Sequence, residues 1–179
     1  MTRTEVSVAI LVLLVVLALG GMWIGWRGRR RRSEGVVPAL PEAPAGLGTA
    51  RLGPLDAVYV STTRAGDWLD RVPAHGLGVR SPATVEVFDA GVRIGRTGAP
   101  DVFVPAAALR GATTAPGMAG KVVGGEGLVV LTWQADPDDP RGLDTGLRPR
   151  HAADRPRLVE AVAALIDVTP GTPGQEEKP

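Results

Sequence analysis

The apolar positions of this chain fall into three regimes. From Val6 to Trp26 they form an unbroken run, VSVAILVLLVVLALGGMWIGW, that holds no charge and has Ser7 as its one conventional polar side chain. At about 1.5 Å per helical residue, roughly 21 residues reach about 31 Å, the thickness of a bilayer hydrocarbon core. The pattern predicts a transmembrane helix over 6–26, preceded by a short N-terminus, 1–5. A cleaved signal peptide would need positive charge ahead of a shorter apolar core. Here Arg3 is offset by Glu5 ahead of the run, and the arginines follow it.

The second regime, 27–50, has no apolar period. It opens with Arg27, Arg29, Arg30, Arg31 and Arg32, then carries Gly35, Pro38, Pro41, Pro44, Gly46 and Gly48. This reads as a basic juxtamembrane segment and a semi-extended linker that holds the following domain off the bilayer.

The third regime, 51–168, is a series of short alternations. Strands are predicted over Leu55 to Val60, Leu77 to Arg80, Thr84 to Phe88, Val92 to Arg96, Val102 to Val104, Leu109 to Thr114, Leu128 to Trp133 and Leu143 to Leu147. Asp89-Ala90-Gly91 joins two of them as a hairpin with glycine where φ > 0 is needed. A long polar loop runs from Ser61 to about His75, and a glycine-rich loop reaches Gly127 with Lys121-Val122-Val123 inside it. Asp154 is a plausible N-cap for a final helix, in which Leu158, Val159, Val162, Leu165 and Ile166 form one apolar stripe. A bent sheet of about seven or eight strands leaves an open end, and a terminal amphipathic helix would cover its interior. The tail 169–179, TPGTPGQEEKP, is expected to be disordered.

Charge refines this picture. The chain is formally +1, but from Ser33 onward there are 14 Lys+Arg against 18 Asp+Glu, so the part beyond the arginine cluster is about −4. A mildly acidic domain lacks the basic footprint of a nucleic-acid binder. Positive charge beside a span stays on the cytoplasmic side. The expected topology has the N-terminus outside and the C-terminal domain in the cytoplasm of a bacterial cell. Trp23 and Trp26 sit at the interfacial end of the run, and the arginines could attract anionic lipid headgroups. There is no cysteine, hence no thiolate nucleophile, disulfide or thiolate metal site. Abundant alanine, glycine, arginine and proline, with lysine nearly absent, is the composition of a GC-rich bacterial genome.

No catalytic motif is complete. Gly120-Lys121 would need glycine at 115 and Ser or Thr at 122 to form a phosphate loop, but those positions are Ala115 and Val122. None of Ser7, Ser33, Ser61 and Ser81 lies in a Gly-x-Ser-x-Gly elbow. His75 and His151, even beside Asp70 or Asp154, fit hydrogen-bonded surface groups better than metal ligands. Asp136, Asp138 and Asp139 are interrupted by prolines and lack a bidentate glutamate, so they read as a solvated turn and not a calcium loop. No catalytic residue, cofactor or metal is expected.

At residue level, VYVSTTRAGDWLDRV at 58–72, HGLGVR at 75–80, GKVV at 120–123, LTW at 131–133 and LDTGLR at 143–148 resemble a family of small membrane-anchored PH-like proteins from high-GC Gram-positive bacteria. The resemblance covers the anchor and nearly all of 55–167. It implies a mainly β fold, a seven-stranded PH-like barrel capped by a C-terminal α-helix, behind a single transmembrane helix. Members are generally uncharacterised, sometimes labelled membrane or export proteins, and often encoded beside pyrimidine-biosynthesis genes. The missing nucleophile, metal and phosphate motifs favour a binding or scaffolding module, a PH-like domain presented to the cytoplasm with a protein partner. An enzyme or enzyme subunit linked to pyrimidine metabolism, or an accessory subunit of a transport or export system, are the alternatives.

The candidate partner-binding loop runs from Thr63 to Arg80. It is too long for a mere turn and is rich in Arg and Asp. Arg64, Arg71 and Arg80 could bind an anionic group or a partner's acid, and Trp68 could anchor a partner. Alternatively Asp67 and Asp70 neutralise Arg71 and Trp68 plugs the barrel end. The basic pattern of phosphoinositide-binding PH domains is absent.

Overall fold

The computed structural model describes residues 3–37, 39–118, 121–122 and 127–168, without the α1 side chains of 3, 4, 6, 9, 26 and 29–36. Helix α1 spans Arg3–Val36, so it does not stop at Trp26 but carries on through the arginine cluster. Among the described residues no helix is long and apolar enough to cross a membrane. The side chains described without a break run from Ile10 to Gly25, and those of Arg29 to Arg32 lie outside the described set. The expected disorder of 169–179 also falls outside it.

Ten strands follow: β1 Leu52–Arg64, β2 Asp67–Arg71, β3 Ser81–Phe88, β4 Gly91–Arg96, β5 Val102–Pro105, β6 Leu109–Ala115, β7 Gly117–Met118, β8 Lys121–Val122, β9 Leu128–Trp133 and β10 Leu143–Pro149. Helix α2, Asp154–Val168, closes the domain. The main sheet is antiparallel in the order β5-β4-β3-β1-β10-β9-β6, with β2 added to β1. The barrel reading needs correction here, because β5 and β6 are its two free ends and do not pair with each other. The sheet curls around a core without closing, and α2 lies chiefly against β6 at one of those ends.

Strand β1 makes the curl possible. Its first half pairs with β3 from Leu52 to Tyr59, and its second half pairs with β10 from Ala57 to Arg64. A register shift between Tyr59 and Ser61 marks the change of partner, as a bulge that sharpens local twist and bend would do. Alternate residues from both halves meet in one interior: Leu55, Ala57 and Tyr59 of β1, Val85 and Val87 of β3, Ile94 of β4, Leu131 and Trp133 of β9, Leu143 and Leu147 of β10. The α2 stripe is as expected. Leu158, Val162 and Leu165 are buried in that interior, with Val159 and Ile166 partly buried against it. Each such side chain contributes roughly 1.5–3 kcal/mol when fully buried.

Four other expectations shift. β1 is longer than the apolar signal, because Ser61, Thr62 and Thr63 are buried within it. The long loop after it holds the paired strand β2. Leu77 to Arg80 is not a strand. It follows a single 3-10 turn, Ala74–Gly76, and β3 begins at Ser81, with Pro82 near its start where a missing N–H is tolerated. The 37–50 segment does not stand clear of the domain, because Val37 is buried in the core and Leu40 packs on it. The hairpin glycine does hold. Gly91 has φ 145°, and a Cβ there would lie 2.2 Å from the Val104 carbonyl oxygen.

Candidate functional site

Two groups of polar and aromatic side chains sit where β1 ends. The first is internal. Tyr59 reaches from the bend to donate its hydroxyl to the Leu77 carbonyl at 3.0 Å, and lies 2.5 Å from Thr62 Oγ1. Thr62 Oγ1 is 2.8 Å from Thr145 Oγ1, its cross-strand partner. Thr145 Oγ1 also accepts the Trp133 indole N–H at 2.9 Å. Burial pushes the Tyr59 phenol up to about 12, opposed by the Thr62 hydrogen bond and the Arg96 charge. The Arg96 guanidinium covers the Tyr59 ring 3.9 Å from its centroid. It donates to Ser81 Oγ and to the carbonyls of Gly76, Val79 and Pro100 at 2.6–3.3 Å. Burial lowers its pKa, opposed by Tyr59 and Asp101. This arginine ties the segment before β3 to the end of β4.

The second group is the loop Thr63 to Arg80. Arg64 is not offered to a partner. Its side chain is 14% exposed and forks onto Asp139, Nη1 to Oδ2 at 2.6 Å and Nη2 to Oδ1 at 2.9 Å. That hydrogen bonding holds the Asp139 carboxyl below its usual range, opposed by burial and assisted by the Arg141 N–H. Arg141 Nε donates to the Ala65 carbonyl at 3.1 Å, and its guanidinium lies 3.8 Å from Asp67. Gly66 N–H donates to Asp144 Oδ2 at 3.0 Å, and Ala65 N–H to the Gly142 carbonyl at 3.1 Å. The loop is thus fastened to the 134–142 turn, which explains the acidic cluster: Asp139 holds Arg64, while Asp136 Oδ1 takes the Asp138 N–H at 2.9 Å.

Beyond this fastening the loop turns outward. Trp68 is 41% exposed and Leu69 78% exposed, which removes the plug reading, since Trp133 and Tyr59 fill the interior instead. Arg71 lies in β2, opposite Thr63. Arg80 is exposed immediately after Val79, itself 53% exposed. His75 has a left-handed φ of 51° and donates from Nε2 to the Val37 carbonyl at 2.7 Å, so it ties the end of α1 to the domain. Among the described residues no group of three or more His, Asp or Glu is placed to hold a metal ion.

The sequence pointed to Arg64, Trp68, Arg71 and Arg80 in this loop and did not single out Leu69 and Val79, apolar residues inside a polar stretch that the structure leaves exposed. It also missed Arg96, the last residue of the predicted strand Val92 to Arg96, which shares the buried face of Val92 and Ile94. Residues 37–163 match the family model described as bacterial PH domain-like. The chain belongs to that bacterial PH domain-like family. The match begins at Val37, the first core residue after α1, so the PH-like domain takes in the segment that the composition assigned to a linker. It ends within α2, after Val162 has joined the core. No curated protein matches the chain.

Proposed function

We propose that this is a single-pass membrane protein that presents its PH-like domain at the cytoplasmic face as a non-catalytic binding or scaffolding module. One observation carries the reading. The large apolar side chains of α1, from Val8 through Leu14 and Leu19 to Ile24, are more than half exposed, with none of them packed on the domain. A helix that is apolar on every side needs a nonaqueous environment. The uncharged sequence from Val6 to Trp26 is long enough to cross a hydrocarbon core. Arg27, stacked 5.1 Å from the Trp23 ring centroid, begins the basic cluster that would hold this end on the cytoplasmic side. Anionic headgroups are the natural counter-charge for that cluster.

The test has two parts. The full chain should stay in the membrane pellet after alkaline extraction, and a reporter active only in the cytoplasm should work when fused after Pro179. Release into the supernatant overturns the anchor. Activity of an exported reporter in place of the cytoplasmic one overturns the orientation.

A further inference from the structure

Outside α1, the exposed large apolar side chains among the described residues are Trp68, Leu69 and Val79. All three belong to the single segment between β1 and β3. That segment is also where α1 joins the domain. The 74–76 turn lies against α1, His75 holds the Val37 carbonyl, and Val37 shares the core with Ala74 and Leu77. Val36 lies ten residue steps beyond Trp26 along the helix, so the turn stands within about 15 Å of the end of the apolar run.

We propose that Trp68, Leu69 and Val79 form a second membrane contact, seated in the interfacial layer of the same bilayer that α1 spans. The inference rests on the anchoring reading above. Lipid is the occupant because the segment that carries these side chains also holds the end of α1, and because an indole favours the polar–apolar boundary. Arg80 beside Val79 can lie along that boundary with its charge in the headgroups. The loop is already ordered for the task. β2 is paired to β1, Arg64 and Arg141 fasten its base, and Arg96 grips the Val79 carbonyl at 2.6 Å. Little backbone entropy of the loop remains to be lost on contact. Two attachments, the α1 junction and this patch, fix the orientation of the domain relative to the membrane. The turn 106–108 is hydrogen-bonded to Ala90 at the far ends of β4 and β5, and it then points away from the bilayer.

The chain has no cysteine, so single labels are straightforward. Leu14→Cys, Leu69→Cys, Val79→Cys and Ala107→Cys, each in the full chain, are coupled to a polarity-sensitive fluorophore. The labelled proteins are reconstituted in vesicles of phosphatidylcholine and phosphatidylglycerol, with and without lipids carrying a nitroxide quencher either just below the headgroup, for positions 69, 79 and 107, or deep in the acyl chain, for position 14. The expected result is quenching at 14, 69 and 79 severalfold stronger than at 107. Quenching at 14 with 69 and 79 no different from 107 overturns the patch while the anchor stands. Absence of quenching at 14 overturns the anchor and this inference with it. Equal quenching at 107 also overturns the inference, because the domain then has no preferred face.

Discussion

The interior around the β1 bend and the loop that leaves the end of β1 use the same kinds of side chain to opposite ends. Each has a tryptophan and an arginine, Trp133 and Arg96 inside, Trp68 and Arg80 outside. Inside, each polar atom of the row meets a protein partner: indole N–H to Thr145, hydroxyl to hydroxyl along Tyr59, Thr62 and Thr145, and guanidinium to three carbonyls and Ser81. In the loop the basal groups are paired, but the indole and the neighbouring leucine face outward. Residue type therefore does not decide between fold and interaction here. What decides is whether the strands bring an acceptor and a packed wall within reach.

The largest expected effect breaks the interior side of this contrast. Trp133 has no exposed surface and is hydrogen-bonded to Thr145. Trp133→Ala removes a fully buried ring and leaves Thr145 without its indole donor, at a cost of about 3–5 kcal/mol. Thermal unfolding of the full chain in detergent should show a large loss of melting temperature. A change no larger than that of an ordinary surface substitution would mean that the interior tolerates the cavity and that the contrast is false.

The next effect is a pH dependence. The Tyr59 phenol is raised from 10.0 in the unfolded chain to about 12 in the fold. The folded state thus holds this proton more tightly, and the resulting stability is fully present below pH 10. It is lost as pH rises from about 10 to about 12, at about 1.4 kcal/mol for each pH unit crossed. Tyr59→Phe removes the titration along with the hydrogen bonds to Thr62 and Leu77, lowering stability at neutral pH by about 1–3 kcal/mol. Its denaturant midpoint should then fall less steeply than the parent's across that alkaline window. Parallel curves for the two proteins would show that Tyr59 does not carry the dependence.

Much of the fold was legible wherever burial and apolar character coincide. The α2 stripe and the Thr84 to Arg96 hairpin follow their periods because each buries apolar side chains on one face, and the Leu128 to Trp133 strand shows as a continuous apolar run because it buries them on both. Legibility failed where polar residues are buried. Ser61, Thr62 and Thr63 read as the start of a loop, yet they continue β1, because Thr62 satisfies its hydroxyl with Tyr59 and Thr145. Arg96 failed to stand out for the same reason, since three of its four acceptors are backbone carbonyls that carry no sequence signature. Closure of the barrel was implied by resemblance, but strand pairing is a long-range property and β5 never reaches β6. In the candidate loop the sequence located the right segment but assigned Arg64 to a partner, when Asp139, far along the chain, already holds it.

The smallest expected effect concerns the exposed member of the tryptophan pair. Trp68 stands in β2, the short strand added beside β1, and the residue is 41% exposed. The groups that fasten the loop are Arg64, Asp139, Arg141 and Asp144, none of which Trp68→Ala touches. Truncation at such a position should change stability by no more than about 0.5 kcal/mol. If the ring meets the membrane, the same variant, with Leu69→Ala added, should lessen quenching of a label at Val79→Cys while leaving the melting temperature in place. The two measurements separate the roles, because a structural indole would move the melting temperature and the label together. A melting shift approaching that of Trp133→Ala would make Trp68 part of the core, and the contrast between the two regions would disappear.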